Sequence, residues 1–166
     1  MSSPVREKGV VLAELLLLLV LLGAIFSWAM PAILRVYRYG AVRFEAEHLL
    51  GELRREQMAA RTAAQKMGSD GSTVVSDARP KLLLTGNGYI IYRGRYEVRR
   101  HNCLSSVQLK FNNSLDGTQA LYVSANGNVS PNVTVTVFAS GRENIRCNLV
   151  IDPVGRLRLE RDDTGG

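Results

Sequence analysis

One apolar run near the N-terminus constrains the fold of this chain more than any other feature. From Val10 to Met30 the sequence has 21 residues with a single charge, Glu14. As an α-helix this run is about 31 Å long, which matches the hydrocarbon thickness of a bilayer. Arg6 and Lys8 precede it, and short basic tails stay on the cytoplasmic side. The sequence therefore predicts a single-pass membrane helix with the rest of the chain exported.

A cleaved secretory signal is the competing interpretation, because Ser27-Trp28-Ala29 has the small residues that signal peptidase prefers. Two features disfavour it. The apolar run is longer than the roughly 7 to 15 residues of a typical signal, and it contains a carboxylate. An unpaired carboxylate at the centre of a membrane helix costs about 2.5 to 3.5 kcal/mol, so Glu14 needs a partner. Cleavage after Gly9 would create one, the α-amine of Val10 on a neighbouring subunit.

The segment Lys8-Gly9-Val10-Val11-Leu12-Ala13-Glu14-Leu15 resembles the processing signal of type IV pilins and pseudopilins. The resemblance implies that prepilin peptidase cuts after Gly9 and methylates Val10, and that Glu14, fifth in the mature chain, drives assembly. Val10 stands where the family usually has phenylalanine. Pro31, at mature position 22, lies where the family commonly places a helix kink.

The remaining residues divide into a stalk and a head. Residues 35–67 have apolar positions at helical spacing and predict an amphipathic helix that continues the membrane helix of residues 10–34, after a leader of residues 1–9. The charged residues between Glu52 and Glu56 are expected on its solvated surface. Residues 68–80 predict a loop. Residues 81–166 predict a β-rich head, and Val133, Val135 and Val137 give its clearest alternation. The expected fold class is α+β and pilin-like, with the helix packed on an antiparallel sheet. The predicted strands are 82–85, 89–93, 96–100, 107–111, 121–125, 133–139, 149–152 and 156–160.

Two cysteines, Cys103 and Cys147, lie 44 positions apart. In an exported domain this pattern favours a structural disulfide, and two buried thiols are the alternative. His48 and His101 have no serine, cysteine or carboxylate at a recognisable catalytic spacing, and no metal-ligand motif is present. The sequence predicts a protein that is not an enzyme, with no cofactor and no bound metal.

The head is basic, with 12 cations against 7 anions from Arg79 onward. Residues 148–158 resemble the C-terminal hairpin of the GspH and FimT minor pseudopilins, and Gly155-Arg156-Leu157-Arg158 is similar to the motif with which FimT-like pilins hold DNA. Arg156 and Arg158 are therefore candidates for contact with successive phosphates of double-stranded DNA. Arg93 and Arg95 are a second candidate pair. Alternatively, these cations solvate a sheet face or protect an edge strand.

These features together predict a minor pilin or pseudopilin subunit in the cytoplasmic membrane, with its head outside the cytoplasm. Its expected partners are prepilin peptidase, other pilin subunits, the membrane and DNA. Type II secretion, type IV pilus assembly and competence for DNA uptake all remain open. The alternative from another class is a signal-anchored or secreted β-rich binding domain unrelated to pili.

Overall fold

The computed structural model describes residues 4–68, 80–111, 120–152 and 154–161. One helix, α1, spans Pro4–Gly68. The strands that follow are β1 (Pro80–Thr85), β2 (Gly88–Arg93), β3 (Tyr96–Asn102), β4 (Val107–Phe111), β5 (Ala120–Val123), β6 (Val129–Ser130), β7 (Thr134–Ala139), β8 (Arg142–Ile151) and β9 (Leu157–Arg161). The predicted α+β class, a long N-terminal helix with antiparallel strands, is confirmed.

The strands form two sheets, and every pairing in them is antiparallel. Sheet A has the order β3-β2-β1-β5-β6, and sheet B has the order β4-β7-β8-β9. Strand β3 is therefore at one edge of sheet A, and strand β9 is at one edge of sheet B. Arg93 ends β2, which is the neighbour of edge strand β3, and Arg158 lies on edge strand β9.

Tight hairpins connect neighbouring strands. Glycines occupy the turns and the positions where the backbones of two strands are in close contact. Strands β1 and β2 are joined by Gly86 and Asn87, with Thr85 paired to Gly88. A Cβ atom on Gly88 would lie 2.2 Å from the backbone oxygen of His101, so no other residue fits there without a shift of β3. Gly94, in the β2–β3 turn, has φ 63°, a conformation that glycine adopts without strain.

The chain divides into two compact units, residues 1–37 and 38–166. In the second unit, one stripe of α1 joins the inner faces of both sheets in a single hydrophobic cluster. Ala46, Leu49 and Leu53 on the helix are fully buried, as are Leu121 in sheet A and Val135 in sheet B. The period of the stripe, with apolar residues three and four apart, is that of an amphipathic helix.

In the first unit, α1 contains an 18-residue window with mean hydropathy 2.5, long and apolar enough to cross a membrane, and no part of this window is buried. Its large apolar side chains from Val11 to Leu34 are 43% to 91% exposed. The helix continues through Pro31. The kink expected there stays a prediction.

The structure differs from the predicted strands in two places, and one predicted loop is not described. Strand β8 begins at Arg142, seven residues before the predicted start, because it forms a long hairpin with β7 through Ser140 and Gly141. The two-residue strand β6 was not predicted, since so short a strand has no periodicity to detect. The predicted loop lies outside the described residues over positions 69–79.

Candidate functional site

The apolar part of α1 is the first candidate site. Gly9 and Val10 are within the helix, and Glu14 is exposed one turn further on. Leu15, Leu17 and Leu18 beside it are 52% to 62% exposed. Among the described residues, Glu14 has no ion-pair partner, so its carboxylate is surrounded by exposed apolar groups of its own helix.

The second half of α1 carries carboxylates of a different kind. Glu45, Glu52 and Glu56 are only 2%, 8% and 4% exposed. Spacings of seven and four residues place them on one helix face, beside the buried leucines Leu49 and Leu53. The prediction that residues Glu52 to Glu56 are solvated surface was wrong for both glutamates, because the face they share with these leucines packs against the head.

Each buried carboxylate receives a cation or imidazole from sheet A. Glu56 accepts a bidentate pair from Arg93, with Nη2 to Oε1 at 3.0 Å and Nε to Oε2 at 3.2 Å. Glu52 Oε1 accepts from Arg99 Nη1 at 2.5 Å, while its Oε2 is buried without a partner among the described residues. Glu45 lies opposite His101. These three pairs connect the helix to strands β2 and β3 at regular intervals.

Arg93 therefore differs from the other arginines proposed to contact DNA. Its guanidinium is engaged by a buried carboxylate, so a phosphate would have to compete with Glu56 for the same donors. Arg95 is exposed in the β2–β3 turn. The structure does not bring this pair together with Arg156 and Arg158, which belong to sheet B.

Around Glu45, four more polar side chains meet at the helix–strand junction. Glu45 Oε2 accepts from His101 Nε2 at 2.8 Å, and Glu45 Oε1 accepts from the backbone N–H of Leu104 at 2.9 Å. The imidazoles of His101 and His48 stack with their centroids 4.3 Å apart. Burial raises the pKa of Tyr89 above its usual value, so its hydroxyl stays protonated. This hydroxyl is hydrogen-bonded to His48 Nδ1 at 2.6 Å.

Cys103 completes this junction. Burial, followed by the negative charge of Glu45 and a hydrogen bond to it, raises the pKa of the Cys103 thiol to about 12. Glu45, His101 and Cys103 place one ligand atom each within 4.8 Å of one another. Sequence reasoning missed the cluster because its members come from distant segments. The available signal was a glutamate at an apolar position of the helical stripe.

The predicted disulfide between Cys103 and Cys147 is not formed in this structure. Cys103 follows β3 at the edge of sheet A and lies against Glu45. Cys147 is on β8 in sheet B, where its Sγ approaches the backbone oxygen of Glu160 at 3.9 Å. The physical reason for the error is that a favourable spacing in the chain does not make two Cβ atoms converge.

The exposed face of sheet B is the remaining candidate site. Arg156 and Arg158 are exposed, while Leu157 and Leu159, which alternate with them, are half-buried against the core. This is the predicted alternation. Antiparallel register puts Lys110 and Arg146 on the same face as Arg158, and the Thr136 hydroxyl bridges the sheet there by donating to Asn148 Oδ1 at 2.9 Å.

Arg156 and Arg158 are both exposed on this side of sheet B. Arg158 pairs with Glu160 at 3.0 Å, but their side chains are 60% and 50% exposed. Such surface ion pairs contribute little and exchange readily. Arg156 makes no ion pair with any residue in the described part of the chain. The arrangement offers the two exposed guanidinium groups of Arg156 and Arg158, which suit phosphate contact without base recognition.

Comparisons with known proteins identify the architecture. No family model and no curated protein sequence matches the chain. Among solved structures, it is similar to the type IV minor pilin FimU of Pseudomonas aeruginosa (strain PAO1), with 18% sequence identity and a TM-score of 0.52. The match covers 72% of this chain and 92% of FimU. The chain has the pilin fold, with a long apolar N-terminal helix and an antiparallel β-sheet head.

Proposed function

We propose that this protein is a minor pilin or pseudopilin subunit, cut by prepilin peptidase after Gly9 and anchored by residues 10–34. The observation that carries the proposal is the exposed apolar helix of the first unit, with Glu14 within it, in a chain of pilin fold. Exposed leucines on all sides of a helix are unfavourable in water, and lipid or neighbouring helices would cover them.

Glu14 gives this proposal its assembly chemistry. A carboxylate among apolar groups is stable only when paired, and the described residues of its own chain supply no partner. The α-amine of Val10, freed by cleavage after Gly9, would provide the opposite charge on an adjacent subunit. The head would then lie outside the cytoplasm, with the basic N-terminal tail on the cytoplasmic side before cleavage.

The mature N-terminus tests the processing step directly. The protein is extracted from membranes, and its intact mass and N-terminal residue are determined. We expect N-methylated Val10 as the first residue. A chain beginning at Met30, as cleavage after Ala29 would leave it, or an uncut chain beginning at Met1 would contradict the proposal and favour a secreted or signal-anchored binding domain.

Substitution of Glu14 tests assembly separately from processing. We expect Glu14→Ala to be processed and retained in the membrane but absent from sheared filaments. Glu47→Ala is the matched control, because Glu47 is exposed on the same helix and forms a surface ion pair with Arg43 one turn away. Normal incorporation of the Glu14 variant into filaments would contradict the proposed role of Glu14 in assembly.

A second candidate function, contact with double-stranded DNA, is favoured by the cations that share the exposed face of sheet B. Arg156 and Arg158 are about 6.8 Å apart along the strand, which is close to the spacing of successive phosphates. Lys110 and Arg146 on the same face extend the positive surface across the sheet. This function would place the subunit in a DNA-uptake pilus.

The double variant Arg156→Gln/Arg158→Gln tests DNA contact in the detergent-solubilised full chain. We expect weaker binding of a random-sequence duplex, with the salt dependence (log K against log salt) reduced by about 2 because two phosphate contacts are lost. Arg43→Gln/Arg54→Gln is the control, since it removes the same charge from exposed positions on α1 that are not candidates for DNA contact. Equal binding by both variants would return Arg156 and Arg158 to a structural role and favour a secretion pseudopilus.

A further inference from the structure

The junction between α1 and the end of β3 brings together three side chains that commonly bind transition metals. Glu45 comes from the helix, His101 from β3, and Cys103 follows that strand immediately. Their ligand atoms lie within 4.8 Å of one another, and Glu45 Oε2 and His101 Nε2 are 2.8 Å apart. Because all three belong to the same compact unit, the cluster is part of the packed head.

We propose that Glu45, His101 and Cys103 form a three-ligand site for zinc or a similar divalent transition ion, with a solvent molecule as the fourth ligand. Thiolate, imidazole and carboxylate bind Zn²⁺ at about 2.3, 2.0 and 2.1 Å. In a tetrahedral arrangement these bonds separate the ligand atoms by about 3.3 to 3.6 Å. Movements of less than about 1.5 Å would therefore bring the three side chains into coordination.

The donor set selects the class of ion. Calcium and magnesium prefer sites made of oxygen atoms alone. A site with one sulfur, one nitrogen and one oxygen favours zinc, cobalt, nickel or copper. Charge balance agrees with a divalent ion, because a carboxylate and a thiolate together neutralise two positive charges in a site where Glu45 is almost completely buried.

The surroundings already hold the ligands in place. The backbone N–H of Leu104 fixes Glu45 Oε1 and leaves Oε2 for the ion. The ring of His48 stacks on His101 and limits its rotation. The side chain of His101 is 23% exposed, which gives an ion and the solvent ligand a route from the surface. Such supporting contacts typically change metal affinity by about 10- to 100-fold.

Without an ion, the same groups form a hydrogen-bonded cluster, with His101 Nε2–H and the Cys103 thiol both donating to Glu45. Metal binding at these atoms breaks both hydrogen bonds. The proton on His101 Nε2 leaves or moves to Nδ1, and the thiol proton passes to solvent as the Sγ–metal bond forms. No oxidant or reductant is needed. This site does not depend on a role in a pilus.

Cobalt titration of the detergent-solubilised full chain, freed of metal with a chelator, tests the site. We expect one equivalent of Co²⁺ to give a thiolate-to-cobalt charge-transfer band and the visible bands of tetrahedral coordination, and one equivalent of Zn²⁺ to abolish them. Cys147→Ser is the matched control, because Cys147 is the other cysteine of the chain and is also partly buried. It should behave as the unsubstituted protein does.

Cys103→Ser should lose the charge-transfer band and bind Zn²⁺ at least about 100-fold more weakly. Circular dichroism of this variant is measured beside the unsubstituted chain, and we expect the same spectrum from both. Glu45→Gln provides a second measurement, since it keeps the thiol but should weaken binding by at least about tenfold. Failure of the unsubstituted chain to bind Co²⁺, or an equal band from Cys103→Ser, would overturn the assignment.

Discussion

The two halves of α1 place glutamate side chains in opposite environments. Glu14 in the first half is exposed among leucines and has no ion-pair partner in the described part of the chain. In the second half, Glu45 and Glu56 are buried, and each is matched by a side chain from sheet A. The comparison shows that the environment of a helical carboxylate depends on whether the same chain supplies its partner.

The apolar side chains of the helix follow the same division. Leu17 and Leu19 are each 62% exposed, whereas Leu49 and Leu53 are fully buried. The second half has a single apolar stripe, and the head covers it. The first half is apolar all round, which one sheet face cannot cover.

Removal of residues 1–37 should have the largest effect on membrane retention, because it deletes the exposed apolar part of α1. It also tests whether the second unit folds without the first. We expect a chain beginning at Arg38 to fold and to remain in the soluble fraction, while the full chain is recovered with membranes. Cell fractionation followed by an alkaline carbonate wash measures this partition. A truncated chain that stayed with the membrane, or that was unfolded by circular dichroism, would contradict the division.

Leucine-to-alanine substitutions compare the two halves at fixed chemistry. Leu49→Ala should lower the free energy of unfolding by about 2 to 5 kcal/mol, since it leaves a cavity at a fully buried position. Leu17→Ala, at a 62% exposed position, should change it by less than about 0.5 kcal/mol. Urea unfolding of the detergent-solubilised chain, followed by the near-ultraviolet signal of the head, measures both. Equal losses would mean that the two halves have similar surroundings.

Periodicity was sufficient to predict the helix and most strands. The alternation in β7 and the glycine-containing turns located hairpins correctly, because these signals are local. The buried glutamates were not predictable in the same way, since a polar residue in an apolar stripe is normally assigned to the surface. Their partners in sheet A are Arg93, Arg99 and His101, which are 37, 47 and 56 residues away in the chain.

The cysteines illustrate the same limit. Their number and spacing favoured a disulfide, but the pairing of β8 with β7 and β9 places Cys147 in sheet B, while Cys103 lies beside α1. Only the three-dimensional arrangement shows that Cys103 meets Glu45 and His101. The arginines of β9 were predictable because alternation along one strand fixes which residues share a face.

Substitution of Arg93 tests whether the ion pair between sheet A and the buried Glu56 carboxylate stabilises the fold. Arg93→Gln should lower the free energy of unfolding by about 1 to 3 kcal/mol, because it leaves the Glu56 carboxylate buried without its charged partner. The loss is moderated by solvent, since the Arg93 side chain is 45% exposed. Arg95→Gln should have an effect of less than about 0.5 kcal/mol. If both variants unfolded at the same urea concentration, the Arg93–Glu56 pair would have no structural role.

Alkaline pH should lower the free energy of unfolding through the junction around Glu45, by less than the loss expected from Arg93→Gln. The pKa of the Cys103 thiol is raised from 9.0 to about 12 in the folded protein, so folding favours the protonated thiol. Its contribution to stability is complete below pH 9 and is lost as the pH rises from 9 towards 12. Between pH 8 and pH 10 we expect a loss of about 1 kcal/mol from this group. Tyr89, whose pKa is also raised, adds a loss in the same direction.

Thermal unfolding of the metal-free chain at these two pH values measures the effect. In Cys103→Ser the hydroxyl does not ionise in this range, so the decrease in melting temperature between pH 8 and pH 10 should be smaller than in the unsubstituted protein. Cys147→Ser should keep the full decrease caused by Cys103. If the Cys103 variant lost stability as steeply as the unsubstituted chain, the alkaline sensitivity would arise elsewhere. The protonated Cys103 thiol beside Glu45 would then make no measurable contribution to stability.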